Sequence, residues 1–169
     1  MPNEGTMDES PQQPILRRLH RTVAGSSQYL DTVLERVRQA STRFGGFGEA
    51  LVHQTWKQYA DGTPTLGLWA ALDGETIIGH ALADIRGWDF QTVAWVTQVV
   101  MDEAAPPTLK TTFLLALDGW VKDVNAQYAT QPNWKPVTKI LMLTGRDAKA
   151  WEKHAGFHVM QTLMYHEVR

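Results

Sequence analysis

Six histidines and four serines are the residues of this chain suited to metal-assisted or nucleophilic chemistry, and there is no cysteine. Without cysteine, disulfides, thiolate metal sites, zinc fingers and a cysteine nucleophile are excluded. His154 and His158 have the i, i+4 spacing of a helical ligand pair, but Gly156 and Phe157 between them break the helix that would align both rings. His20, His53, His80 and His166 show no ligand spacing either, so no metal site is expected and the histidines are expected at the surface or in hydrogen bonds. The serines are Ser10, Ser26, Ser27 and Ser41. None lies in a Gly-x-Ser-x-Gly elbow and two read as helix caps, which removes a Ser/His/Asp hydrolase. Gly45, Gly46 and Gly48 invite a phosphate-loop reading, yet Gly-Gly-Phe-Gly lacks the lysine and the spacing of a P-loop and reads as an interhelical connection.

Any chemistry must then be positioned by the elements that the pattern predicts. Residues 15–23 fit a strand or a short helix, with a strand preferred. The cluster Arg17, Arg18, His20 and Arg21 within it reads as a solvated strand face, with contact to an acidic partner or phosphate as the alternative. After Gly25-Ser26-Ser27, a break and N-cap, Leu30, Val33, Leu34 and Val37 share one face of a helix. Leu51, Val52, Trp56 and Tyr59 mark a second helix ending before Asp61-Gly62. Residues 66–72 and 76–85 flank Asp73-Gly74, a hairpin signal because these residues accept the positive φ of a tight turn. A strand over 92–101 follows, then a helix over 108–124 with Leu109, Phe113, Leu117, Trp120, Val121 and Val124 as its core stripe. A strand at 139–143, a short helix near 147–154 and strand-like sequence from 158 to 168 complete an α/β order with a sheet of mixed direction.

At 169 residues the chain fits one domain, and 43% hydrophobic against 20% charged residues is a globular balance. A formal charge of −2 supplies no net attraction for nucleic acid or an anionic membrane, and no apolar run is long enough to span a bilayer. The domain is expected over 15–169, behind a polar, acidic tail over 1–14 with three prolines and no signal-peptide pattern. Of seven tryptophans, Trp69, Trp95 and Trp120 are expected in the core. Trp88 and Trp134 are placed in loops, where exposed indoles anchor protein contacts, so partner chains are expected to engage them and the tail.

The element order and two stretches, LWAALDGETIIGHALADI and DAKAWEKHAGF, resemble the GNAT N-acetyltransferase superfamily from Ile15 onward. The resemblance implies a GNAT-like mixed sheet flanked by helices, and an acetyl-CoA site where the strand ending at Met101 meets the long helix. Backbone N–H groups and the helix N-terminus would hold the diphosphate there, with Val99, Val100, Met101, Thr108, Leu109 and Lys110 as the corresponding residues. The stretch from Asp102 to Lys110 departs from the family pattern: it has no glycine, two prolines that lack N–H donors, and acidic Asp102 and Glu103 beside the expected diphosphate. In the last helix, Glu152 stands where many members carry a tyrosine that protonates the leaving thiolate. A carboxyl group donates a proton near neutrality only when burial raises its pKa well above about 4.3. Tyr165, His154 and Tyr128 are the other candidate acids, and Asp84, Asp102 and Glu103 the candidate bases for an amine.

Two functions follow. The first is a GNAT-fold protein with a degenerate acyl-CoA loop that binds as a subunit of a larger assembly, a bacteriophage virion component being one version, with no cofactor expected. The alternative is an active acyl-CoA-dependent N-acetyltransferase on an unknown amine, with acetyl-CoA as cofactor and Asp84, Glu152 and Tyr165 as its catalytic groups. The expected location is cytoplasmic, or the virion on the first reading.

Overall fold

A computed structural model of the protein describes residues 14–42, 49–88, 90–142 and 148–157. β1 (Ile15–Arg18), α1 (Ser27–Thr42), α2 (Glu49–Ala60), β2 (Leu66–Asp73), β3 (Thr76–Trp88), β4 (Gln91–Met101), α3 (Leu109–Tyr128), β5 (Ile140–Met142) and α4 (Ala148–Ala155) follow in chain order. The succession is the expected one. The tail over 1–13, the glycines at 45, 46 and 48, and the strand-like sequence from 158 to 168 lie outside the described residues.

The strands form one sheet in the order β1-β2-β3-β4-β5, antiparallel except for the parallel pair β4 and β5. Asp73 pairs with Thr76, so the β2–β3 turn is Gly74-Glu75, one residue later than the sequence suggests. Gly74 has φ of 57°, and glycine at the first central position is what this hairpin turn requires. β3 extends to Trp88, which pairs with Gln91. Trp88 therefore ends a strand rather than occupying a loop.

The predicted stripe of α3 is the buried one: Leu109, Phe113, Leu117, Trp120, Val121 and Val124 all point inward. They pack with α4 on one face of the sheet, where Ala81, Ala83 and Ala94 are small enough to admit large rings. Trp69 meets Phe113 and Trp120 edge to face, with centroids 6.2 and 5.4 Å apart, and Trp151 of α4 meets Phe113 at 6.2 Å. Each such pair adds about 0.5–1.5 kcal/mol beyond its area burial. The Trp120 indole N–H donates to Pro64 O at 3.0 Å, which satisfies its polar edge.

The opposite face carries α1 and α2, with Leu30, Val33 and Tyr59 on Leu68, Leu72 and Leu82. Across the two faces the sequence expectation needs three corrections. Trp95 is only half-buried on this face and stands outside the α3 core. Arg17 and Arg18 are not a solvated strand face. Arg17 lies over the Tyr29 ring at 5.7 Å and Arg18 over the Trp120 ring at 6.0 Å, with Arg18 also donating to Leu66 O at 2.8 Å. Ser26 is buried before α1, but its hydroxyl makes no capping bond; its carbonyl accepts from Tyr29 and Leu30 N–H instead.

A side-chain clamp fixes the approach to β5. Asn125 of α3 donates through Nδ2 to Val137 O at 2.9 Å and accepts from Val137 N–H at 2.8 Å. Val137 is buried, so the amide supplies the pairing that a neighbouring strand would otherwise give. Among the described residues no helix is long and apolar enough to cross a membrane.

Candidate functional site

In a parallel pair joined by a helix, ligands collect at the carboxyl ends of the strands, where the crossover helix begins. β4, α3 and β5 are such a unit, with Ala94, Trp95 and Val96 paired to Ile140, Leu141 and Met142. Immediately beyond Val96 the register with β3 breaks: Ala83 pairs with Val96 and Leu82 with Gln98, which leaves Thr97 as the extra residue of a bulge. A bulge re-aims a side chain and often borders a functional site. Thr97 is exposed, and its hydroxyl donates to Leu82 O at 3.3 Å.

Polar groups converge on this part of the α1/α2 face. The Tyr59 hydroxyl, from the last turn of α2, shares a hydrogen bond with the Thr97 side chain. Burial pushes the Tyr59 pKa up to about 12, so the phenol keeps its proton. Asp84 lies opposite Trp95 and takes a two-pronged contact from Arg86, at 2.8 and 2.7 Å, while the guanidinium also sits 5.2 Å from the Trp95 ring centroid. Further along, buried His80 meets the Gln98 Oε1 atom through Nε2 at 2.7 Å, and its Nδ1 makes no hydrogen bond. Burial lowers the His80 pKa to about 4, against the opposing effect of the Gln98 bond, so the ring is neutral at pH 7.

The other sequence candidates separate from this cluster. Glu152 is exposed on α4, so it lacks the burial that proton donation would need. Tyr165 lies outside the described residues, as does the side chain of His154. Tyr128 ends α3 and stacks on Trp134 at 4.9 Å, at the opposite end of the helix from the β4–α3 turn. Trp134, expected as an exposed anchor, is thereby folded against the chain's own core. Asp102 pairs with Arg36 of α1 at 2.5 Å, which offsets the negative charge expected to repel a diphosphate. Glu103 is exposed in the turn. Among the described residues no group of three or more His, Asp or Glu could hold a metal ion.

No protein-family model and no curated protein matches the sequence. Solved structures do match. One is the structure of AAC(6')-Iy in complex with the bisubstrate analogue CoA-S-monomethyl-acetylneamine: TM-score 0.62, 14% identity, covering 94% of this chain and 99% of that one. A predicted acetyltransferase from Clostridium acetobutylicum, solved with acetyl-CoA, aligns at TM-score 0.57 and 11% identity over 93% of this chain and 96% of its own. Glucosamine-6-phosphate N-acetyltransferase from Arabidopsis thaliana aligns at 0.56 and 10% over 94% and 100%. The chain has the GNAT fold.

On the GNAT frame, the turn from Asp102 to Thr108 is where the acyl-CoA diphosphate is expected, and it fits that group poorly. Ala105 N–H donates to Asp102 O at 3.0 Å, Leu109 N–H to Pro106 O at 2.9 Å and Lys110 N–H to Pro107 O at 3.3 Å. With Pro106 and Pro107 lacking N–H, the turn uses these donors on itself. Thr108 precedes α3 without a side-chain cap bond, and Leu109 is buried in the core. The side chains of Val99 and Met101 pack toward α3, so these residues can offer a ligand backbone rather than side chain. At the bulge, by contrast, an exposed hydroxyl lies beside a buried one. Sequence reasoning did not bring Tyr59 and Thr97 together. Their signal was Thr97-Gln98, two polar residues interrupting the apolar alternation of β4.

Proposed function

We propose that this chain is an acyl-CoA-dependent N-acyltransferase acting on a primary amine, with a weak hold on the nucleotide part of the donor. The observation that carries the reading is the Thr97 bulge within β4, immediately past the segment paired with β5, where Thr97, Tyr59 and Asp84 converge on one face. The fold it sits in is shared with proteins solved with acetyl-CoA and with a CoA bisubstrate analogue. Acetyl-CoA supplies an activated acyl group when bound. Asp84 is the base of this chain for the incoming amine, held in place by the Arg86 fork, and Trp95 beside it offers a flat apolar wall to the acceptor. The assembly-subunit reading, including a virion component, has no specific observation in its favour: the tail lies outside the described residues, and Trp134 is engaged within the chain.

Calorimetric titration with acetyl-CoA, paired with thiol release over a panel of primary amines, tests the proposal. The internally bonded turn predicts binding near millimolar, about −4 kcal/mol, together with amine-dependent thiol release. Absence of both binding and amine-dependent release overturns it.

A further inference from the structure

Arg36 uses only half of its hydrogen-bonding edge. The guanidinium donates through Nη2 to Asp102 Oδ1 at 2.5 Å, while its Nε is buried and has no partner. Two other arginines show the closed arrangement: Arg38 holds Glu35 and Arg86 holds Asp84, each through both Nε and Nη2. A carboxylate matches that two-pronged edge, and a buried N–H without an acceptor is costly. Asp102 therefore leaves Arg36 open to a better-placed carboxylate.

The same side chain lines an open cleft of about 400 Å³ between α1 and the β2–β3 hairpin, with Gln28, Tyr29 and Thr32 on the helix side and Glu75 and Ile77 opposite. Gln28, Thr32 and Arg36 follow one another at i, i+4 spacing, so the cleft runs along α1 for about 12 Å. Glu75 is exposed in the hairpin turn and has no hydrogen bond or ion pair among the described residues. Asp102 N–H donates to Ile78 O at 2.9 Å, which sets the Arg36 end of the cleft beside Ile78, about 10 Å of chain from Glu75. The cleft thus offers a cation and an anion with Tyr29 and Ile77 between or beside them.

We infer that this cleft binds a short ω-amino carboxylate. Its carboxylate takes Nε and Nη2 of Arg36 in place of Asp102, its ammonium meets Glu75, and its carbon stem lies against Tyr29 and Ile77. A stem of roughly four to six carbons suits the interval. Because Asp102 follows β4 directly, its release links the filled cleft to the turn that leads into α3. The cleft shares no residue with the Thr97 bulge, so it stands apart from the acyltransferase reading.

The test titrates the 15N-labelled full chain with 6-aminohexanoate, with hexanoate and hexylamine as controls that each keep one charge. The Arg36 Nε–H and Asp102 amide resonances should shift saturably with 6-aminohexanoate, with a Kd of about 1 mM because the cleft is open to solvent. Each control should bind about tenfold more weakly, having lost one charge-assisted contact. Arg36→Lys keeps the charge without the fork and should cost about the same factor. Glu75→Gln, in an exposed turn that folding does not depend on, should bring 6-aminohexanoate down to the affinity of hexanoate. Asp102→Ala removes the competitor and should tighten binding about tenfold. Absence of saturable shifts in wild type, equal binding of hexanoate, or weaker binding by Asp102→Ala overturns the inference. None of these results bears on acetyl-CoA binding or thiol release, whose failure overturns the acyltransferase reading alone.

Discussion

Replacing Asn125 should loosen the strand that flanks the site, and the size of the effect follows from its two bonds. Asn125→Ala removes a donor at 2.9 Å and an acceptor at 2.8 Å from the backbone of Val137, a residue only 4% exposed. A side-chain hydrogen bond contributes about 1 kcal/mol net, and a buried backbone group left without a partner costs about 1–3 kcal/mol. The expected loss is therefore about 2–4 kcal/mol, the lower value applying if water enters the space. Asn125→Asp is more diagnostic. Its carboxylate can still accept from Val137 N–H, but its other oxygen then faces Val137 O with no proton between them. The folded state favours the protonated acid, which raises the folded pKa above the unfolded value of about 3.9. The deficit relative to wild type should be full at pH 7 and shrink as pH falls through that raised pKa. Urea unfolding of the three proteins at pH 7 and at pH 4 measures it. An Asn125→Ala loss below about 0.5 kcal/mol, or an Asp deficit unchanged by acid, would refute the clamp as an energetic link between α3 and β5.

Two further expectations concern the sheet. His80 titrates near 4 when folded and near 6.5 when unfolded, so between these values the unfolded chain takes up a proton that the folded one refuses. Stability should fall by about 3 kcal/mol as pH drops through that window and be untouched by this group above it, whereas His80→Gln should lack this limb; parallel acid profiles would count against it. A β-carbon at position 67 would fall inside the Trp69 ring, so Gly67→Ala should cost about 1–3 kcal/mol in thermal or urea unfolding, and a neutral result would mean that the indole repacks freely.

Local patterning made most of the fold legible, and the site much less so. The α3 stripe could be read because its apolar residues recur at helical spacing, and the β2–β3 hairpin because Gly74 marks its turn. Trp95 was misassigned because alternation along a strand does not say which face meets which helix, and the bulge at Thr97 then reverses the alternation downstream. Tyr59 and Thr97 lie on separate elements and meet only when α2 packs on the sheet, so no spacing rule joins them. The neutralisation of Asp102 was hidden for the same reason, since its partner Arg36 lies on α1, 66 positions earlier in the chain. The proline-bearing turn, by contrast, was readable outright, because missing N–H groups are a property of the residues themselves.

The meeting of Trp69 and Trp120 has an optical consequence. Two indoles with centroids 5.4 Å apart and planes inclined at 79° have coupled electronic transitions, and a coupled pair in a fixed chiral arrangement gives a bisignate band in far-ultraviolet circular dichroism. That band overlaps the region used to estimate helix content, so such estimates for this protein will be biased unless a Trp120→Phe spectrum is subtracted. The same overlap is useful. Because the couplet depends on both rings keeping their mutual angle, its disappearance reports loss of α3-to-sheet packing even where the helix itself survives.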